Sequence, residues 1–214
     1  VGLIAFEQRF RWLARQGLML SAESSPPTLC EIPITDPLSI LQPADHLLCQ
    51  GVGDLADKLI EAAGRGPWCH VAGYLGDGYI GEEMQGCGGQ KLKFDAWRAS
   101  RGDRIDIFRP VAPGYSAAGA CDWFQSNVIG APYDWRTIAR FTAEHLAPLT
   151  SPVNHNEDDP PPTVWVCSTS WACADKQGGG VHPVRGLALD ETQPSDSARS
   201  WIVQYVGSFQ GLKT

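Results

Sequence analysis

CHVAGYLGDGYIGEEM, residues Cys69 to Met84, carries two apolar runs on either side of Gly76-Asp77-Gly78. Aspartate and glycine accept the positive φ angles of a tight hairpin, so the stretch reads as two antiparallel strands joined by a short turn. Side chains alternate across a strand, so the length of that turn decides which residues of the second strand share a face with those of the first. A three-residue loop, Gly76 to Gly78, sets Leu75 against Tyr79 and Ala72 against Glu82, and places Glu82 on the side of His70. A two-residue loop, Asp77-Gly78, places Glu83 and Gln85 there instead. Either glutamate also reads as a plain exposed side chain.

The rest of the chain extends this sheet. ILQPADHLLCQG (Ile40 to Gly51) leads into a strand, with His46 to Cys49 running inward. DRIDIFRP (Asp103 to Pro110) alternates Ile105, Ile107 and Phe108 with charge and stops at proline, the pattern of another strand. SWIVQYVGSF (Ser200 to Phe209) reads as a closing strand. Helical patterns fall on DLADKLIEAAG (Asp54 to Gly64), with Asp54 as cap and Gly64 as stop, on Ala120 to Ile129, and on YDWRTIARFTAEHL (Tyr133 to Leu146). SPVNHNEDDPPPT (Ser151 to Thr163) is a loop with three consecutive prolines. Leu3, Phe6, Phe10 and Leu13 recur at helical spacing, and Ser21 to Pro37 is polar and proline-rich. The expected architecture is α+β, an antiparallel sheet with helices packed around it. Residues 1–40 supply an N-terminal helix and loop packed on a single domain formed by 41–214.

Composition narrows the partners. The net charge of -7, from 17 basic and 24 acidic residues, repels phosphates and argues against nucleic acid. No apolar run of about 18 residues exists, so no integral membrane segment is expected. Glu7, Arg9, Arg11 and Arg15 interrupt the apolar start, which does not read as a secretory signal. The seven cysteines are odd in number and irregularly spaced. They point to reduced thiols rather than a disulfide framework. With no CxxC pair, a zinc site would have to be assembled from scattered cysteines and histidines.

VWVCSTSWACAD (Val164 to Asp175) places Cys167 where an apolar segment meets a helical pattern. Buried filler is the bland reading of that cysteine. A helix start, however, offers unpaired N–H groups and a positive dipole end, both of which favour the reactive thiolate. A free thiol with pKa about 8.5 is only a few per cent ionised near neutral pH, so a cationic partner is wanted. Among five histidines, His155 and His182 read as solvated, His145 falls late in a helix and His46 opens a strand. His70 sits within the hairpin, on a stiff platform for an imidazole, although a hydrogen-bonded histidine at a sheet end would look the same. A carboxylate to orient it comes from Glu82 or Glu83.

The order of His70 in PWCHVAGYLGDGYI, a carboxylate in the next strand and Cys167 in VWVCSTSWACAD resembles the circularly permuted NlpC/P60 (papain-like) hydrolases. Within them it is most similar to the YiiX/YaeF-like group, relatives of lecithin:retinol acyltransferases. LQPADHLLCQG, GAPYDWRTIARF and QPSDSARSWIVQYV extend the likeness over about Leu41 to Val206. The resemblance implies a permuted papain-like fold, Cys167 as nucleophile, His70 as base, Glu82 as orienting carboxylate, and with it the three-residue loop, and Tyr133 lining the site. It implies no metal or organic cofactor. Two positions depart from the pattern: Thr169 stands where the family often has glutamate, and Cys69 where it usually has serine. Cys49, ahead of a helix and before His70, is a rival nucleophile in papain order.

The implied activity is hydrolysis of an amide bond in peptidoglycan peptides. A wall substrate without a secretory signal suggests delivery by a dedicated machine, as for antibacterial type VI effectors, with a cognate inhibitor protein as partner. The competing readings are a lipid-directed acyltransferase, thioesterase or phospholipase, and an inactive binding module.

Overall fold

Six strands form one antiparallel sheet: β1 (His46–Gln50), β2 (Trp68–Gly76), β3 (Tyr79–Met84), β4 (Gly88–Lys93), β5 (Arg104–Pro110) and β6 (Val203–Gln210). Their order is β4-β3-β2-β1-β5-β6. The computed structural model describes residues 32–51, 58, 60, 61, 66–134, 165–185 and 187–213. The helix expected over Leu3 to Leu13 lies outside them, as does the expected helix after Asp134. Of the 54–64 helix, Lys58, Ile60 and Glu61 are described and are helical. Among the described residues no helix is long and apolar enough to cross a membrane.

Alternation along the strands sorts two apolar layers. Leu47, Cys49, Ala72, Ile80, Ile105, Ile107 and Phe209 pack on one face, under Phe94 and Trp97 of α1 (Phe94–Ser100). The opposite face, with Leu48, Val71 and Phe108, is covered by α2 (Ala117–Asn127) and α3 (Cys167–Cys173). Ser116 caps α2 by accepting from the Gly119 N–H, the usual job of a serine there. A π-helical turn, Ala174–Gly178, continues α3, and α4 (Pro194–Arg199) precedes β6.

A pair of facing glycines sets the seat of α3. Gly73 and Gly81 are cross-strand partners, so the sheet is bare between them. The Trp171 indole lies on that floor, and its Nε1 donates to the Gly81 carbonyl at 3.2 Å. The Phe124 ring stacks on the indole, with centroids 4.5 Å apart and planes at 18°. A Cβ at Gly73 would overlap the Trp171 ring, and one at Gly81 would come 2.7 Å from Phe124.

The hairpin corrects the expected turn. It is the two-residue Asp77-Gly78 loop, both at positive φ (51° and 76°), closed by the Gly76–Tyr79 pair. Yet Ala72 still faces Glu82, because an irregularity between Tyr74 and Gly76 takes up Leu75 as one extra residue. The bulge restores the register that the longer loop alone would have given. Besides α4, two further elements were not anticipated: β4 and α1. They lie between the hairpin and Asp103, and α1 turns out to brace the site.

Candidate active site

β2 and β3 part company at one point. Their last rung pairs Ala72 with Glu82, although β2 runs on to Trp68 and β3 to Met84. In the same register Val71 would next meet Glu83. The N-terminus of α3 occupies that place instead, and the Val71 backbone N–H donates to the Cys167 sulfur. The Ser168 backbone N–H donates to it as well. Cys167 is 5% exposed and His70 8%, so both are buried.

His70 and Glu82 point to the α1 face. Nε2 of His70 lies 2.8 Å from Glu82 Oε2. Trp97 Nε1 donates to the same oxygen at 2.9 Å, and Gln90 Nε2 donates to Oε1 at 2.8 Å. With Nε2 committed to Glu82, the hydrogen bond between His70 and the Cys167 sulfur falls to Nδ1. Glu82 is therefore held from two sides, and it fixes both ring orientation and tautomer.

The electrostatics follow from these contacts. Burial by itself would lower the His70 pKa, but the Cys167 sulfur and Glu82 outweigh it and raise it to about 9. Burial would raise the Cys167 thiol, but the His70 charge and the Val71 and Ser168 amides bring it below its ordinary value. For Glu82, burial is likewise overcome by His70 and then Trp97, so the carboxyl titrates below its ordinary range. These shifts favour a thiolate–imidazolium pair with a carboxylate behind it. A cysteine in that state is a nucleophile, and the imidazolium beside it is a proton donor.

The structure thus brings together Cys167, His70 and Glu82. Tyr133 joins them from a short parallel bridge with Trp165. Burial first, and then the neighbouring Cys167, raise its phenol well above the usual value, so it stays protonated. Glu83, the other candidate for the third position, faces away from His70. Cys49 pairs with His70 across β1 and β2, but burial drives its thiol well above the ordinary range and leaves it inert. Cys69 sits where the β1–β2 register slips, and its Sγ donates to the Cys49 carbonyl at 3.6 Å. None of the six described cysteines is in a disulfide.

Thr169 braces the turn that carries Cys167. Its hydroxyl accepts from the Val166 N–H at 3.0 Å and donates to the Val166 carbonyl at 3.1 Å, fixing the residue that precedes Cys167. Ser168 Oγ ties the same turn to the Thr192 carbonyl at 2.6 Å. Trp97, Gln90 and Arg101 are the site residues that sequence reasoning missed. Arg101 forks onto Asp103 at 2.9 and 3.2 Å and lowers Glu82 from a distance. The alternation of Leu92 and Phe94 with Lys91 and Lys93 was the available signal for the strand that leads to them.

No protein-family model matches the chain, and no curated protein matches it significantly. The fold and site therefore stand as an α+β domain with a cysteine–histidine–glutamate constellation.

Proposed function

We propose that the chain is a cysteine hydrolase of the circularly permuted papain-like (NlpC/P60) type, with residues 41–214 as its catalytic domain, acting on an amide bond of peptidoglycan peptides. The single observation that carries this reading is the Cys167–His70–Glu82 constellation, with the sulfur at a helix start beside the imidazole. The Cys167 thiolate attacks the carbonyl carbon, and the oxyanion is met by backbone N–H groups at the start of α3. His70 gives its proton to the leaving amine as the C–N bond breaks. Neutral His70 then takes a proton from water, whose oxygen attacks the thioester; the acid leaves and the proton returns to the Cys167–His70 pair. Glu82 holds the imidazole throughout, and Tyr133 lines the approach. No step calls on a metal or an organic cofactor. Delivery to the wall by a type VI-like machine, with a cognate inhibitor, belongs to the same proposal.

Mass spectrometry of digested peptidoglycan tests it. Purified protein should release new amine termini, and Cys167→Ala and His70→Ala proteins should release none. Turnover of acyl esters without amine release would move the assignment to lipids. A thiol probe that labels Cys167 no faster than the other cysteines would leave only a binding module.

A further inference from the structure

Glu83 is a buried acid on the sulfur's side of the sheet that the mechanism leaves unused. It is fully buried, and neither carboxyl oxygen has a hydrogen-bond partner among the described residues. Glu82, its neighbour, accepts three donors. Register places Glu83 directly across the β2–β3 opening from Val71, whose amide holds the Cys167 sulfur. Alternation sends its side chain to the face of Gly81, where Trp171 and α3 pack, so Glu83 lies on the side of the sheet from which Cys167 enters. Room is kept for it: its strand partner is Gly89, and a Cβ there would come 2.8 Å from Glu83 Oε2. Tyr133 feels the charge of both Cys167 and Glu83, so its hydroxyl is within electrostatic reach of each.

We infer that Glu83 is a substrate-recognition residue, seating an ammonium group of the substrate beside the bond that Cys167 attacks. The inference deepens the hydrolase reading by naming a substrate class, amine-bearing peptides. A buried carboxyl without donors is costly, and an ammonium supplies both the N–H groups and the countercharge. Burial alone pushes Glu83 up to about 8. At neutral pH the empty site therefore holds a carboxylic acid, and a bound ammonium releases that proton to solvent.

Calorimetry on the Cys167→Ala protein tests this, since nothing turns over. The probes are a peptidoglycan stem tetrapeptide with its amines free and the same peptide fully N-acetylated. The free peptide should bind at least about tenfold more tightly. Titrations in two buffers of different ionisation enthalpy should report about one proton released per free peptide bound. Adding Glu83→Gln should abolish both the preference and the proton release, leave the acetylated peptide's affinity nearly unchanged, and not lower the melting temperature. Equal binding of the two peptides, absence of proton release, or a preference that survives Glu83→Gln would overturn the inference. If the double variant does not fold, the preference and the proton count in Cys167→Ala decide. Turnover by wild-type protein without an amine preference sinks this inference alone, whereas amine-selective binding without turnover sinks the hydrolase reading alone.

Discussion

Two buried histidine–carboxylate pairs flank α3, one at each end. At its start stand His70 and Glu82. Beyond its end, His46 Nε2 meets Asp175 Oδ1 at 3.3 Å, within the π-helical turn. Both imidazoles have raised pKa values, each against the lowering effect of burial. Their third partners differ. His70 touches a sulfur, whereas Asp175 accepts from the Tyr115 hydroxyl at 2.7 Å, a phenol that burial keeps protonated. Their surroundings differ too. His46 is sealed at 1% exposure, against the Trp171 ring at 5.7 Å. The histidine–acid pair is thus a neutral building block. A sulfur beside it and an opening in the sheet are what set one copy apart, and their absence leaves the other as a fastening for α3.

Paired substitutions break or sharpen that contrast, the largest first. His70→Ala should cut turnover by about 10⁴-fold with little change in melting temperature. His46→Ala should do the reverse, costing about 2–4 kcal/mol of stability because Asp175 loses a partner in the core. Denaturant titration and a rate assay on both variants suffice, and equal loss of turnover from the two would erase the distinction. Gly73→Ala comes next. Its methyl displaces Trp171, which packs against His46 and shares a short helix with Cys167, so about 1–3 kcal/mol should be lost together with Cys167 reactivity. Glu82→Gln should slow turnover by roughly 10²-fold. It should also move the pH profile of Cys167 alkylation toward that of an ordinary thiol, because the imidazolium loses its carboxylate. Without either substitution, alkylation should stay fast well below the ordinary thiol pKa and fall only as Cys167 is protonated.

The smallest effect is a pH-dependent one. His46 has a folded-state pKa above its unfolded value of 6.5. Its protonated pair with Asp175 therefore contributes full stability below pH 6.5 and loses it as pH rises through the folded value. The stability gap between wild-type and His46→Gln proteins should narrow over that rise, and a gap that widens would show that His46 is held neutral.

Local signals and long-range ones were not equally legible. The Asp-Gly turn, the alternating Ile105 and Ile107, and Cys167 at a change of pattern all speak through near neighbours, and each points to the element that forms. The choice between Glu82 and Glu83 depended on a bulge at Leu75, which no propensity announces. β4 was hidden by Gly86, Gly88 and Gly89, which read as loop although the bare backbones of Gly88 and Gly89 make room for Ala131, Val128 and Glu83. Trp97 reaches Glu82 only because that strand turns straight into α1. The partner of His46 lies 129 residues away, a separation at which sequence pattern carries no information about contact.

The vacant rung between β2 and β3 ties the stiffness of the sheet to the state of one sulfur atom. A thiolate is a good acceptor for the Val71 amide, whereas a sulfur carrying an alkyl or acyl group is a poor one. Whenever Cys167 is modified, that strand edge loses its anchor, and whenever the thiolate returns, the anchor is remade. Amide exchange at Val71 would then keep time with the reaction itself.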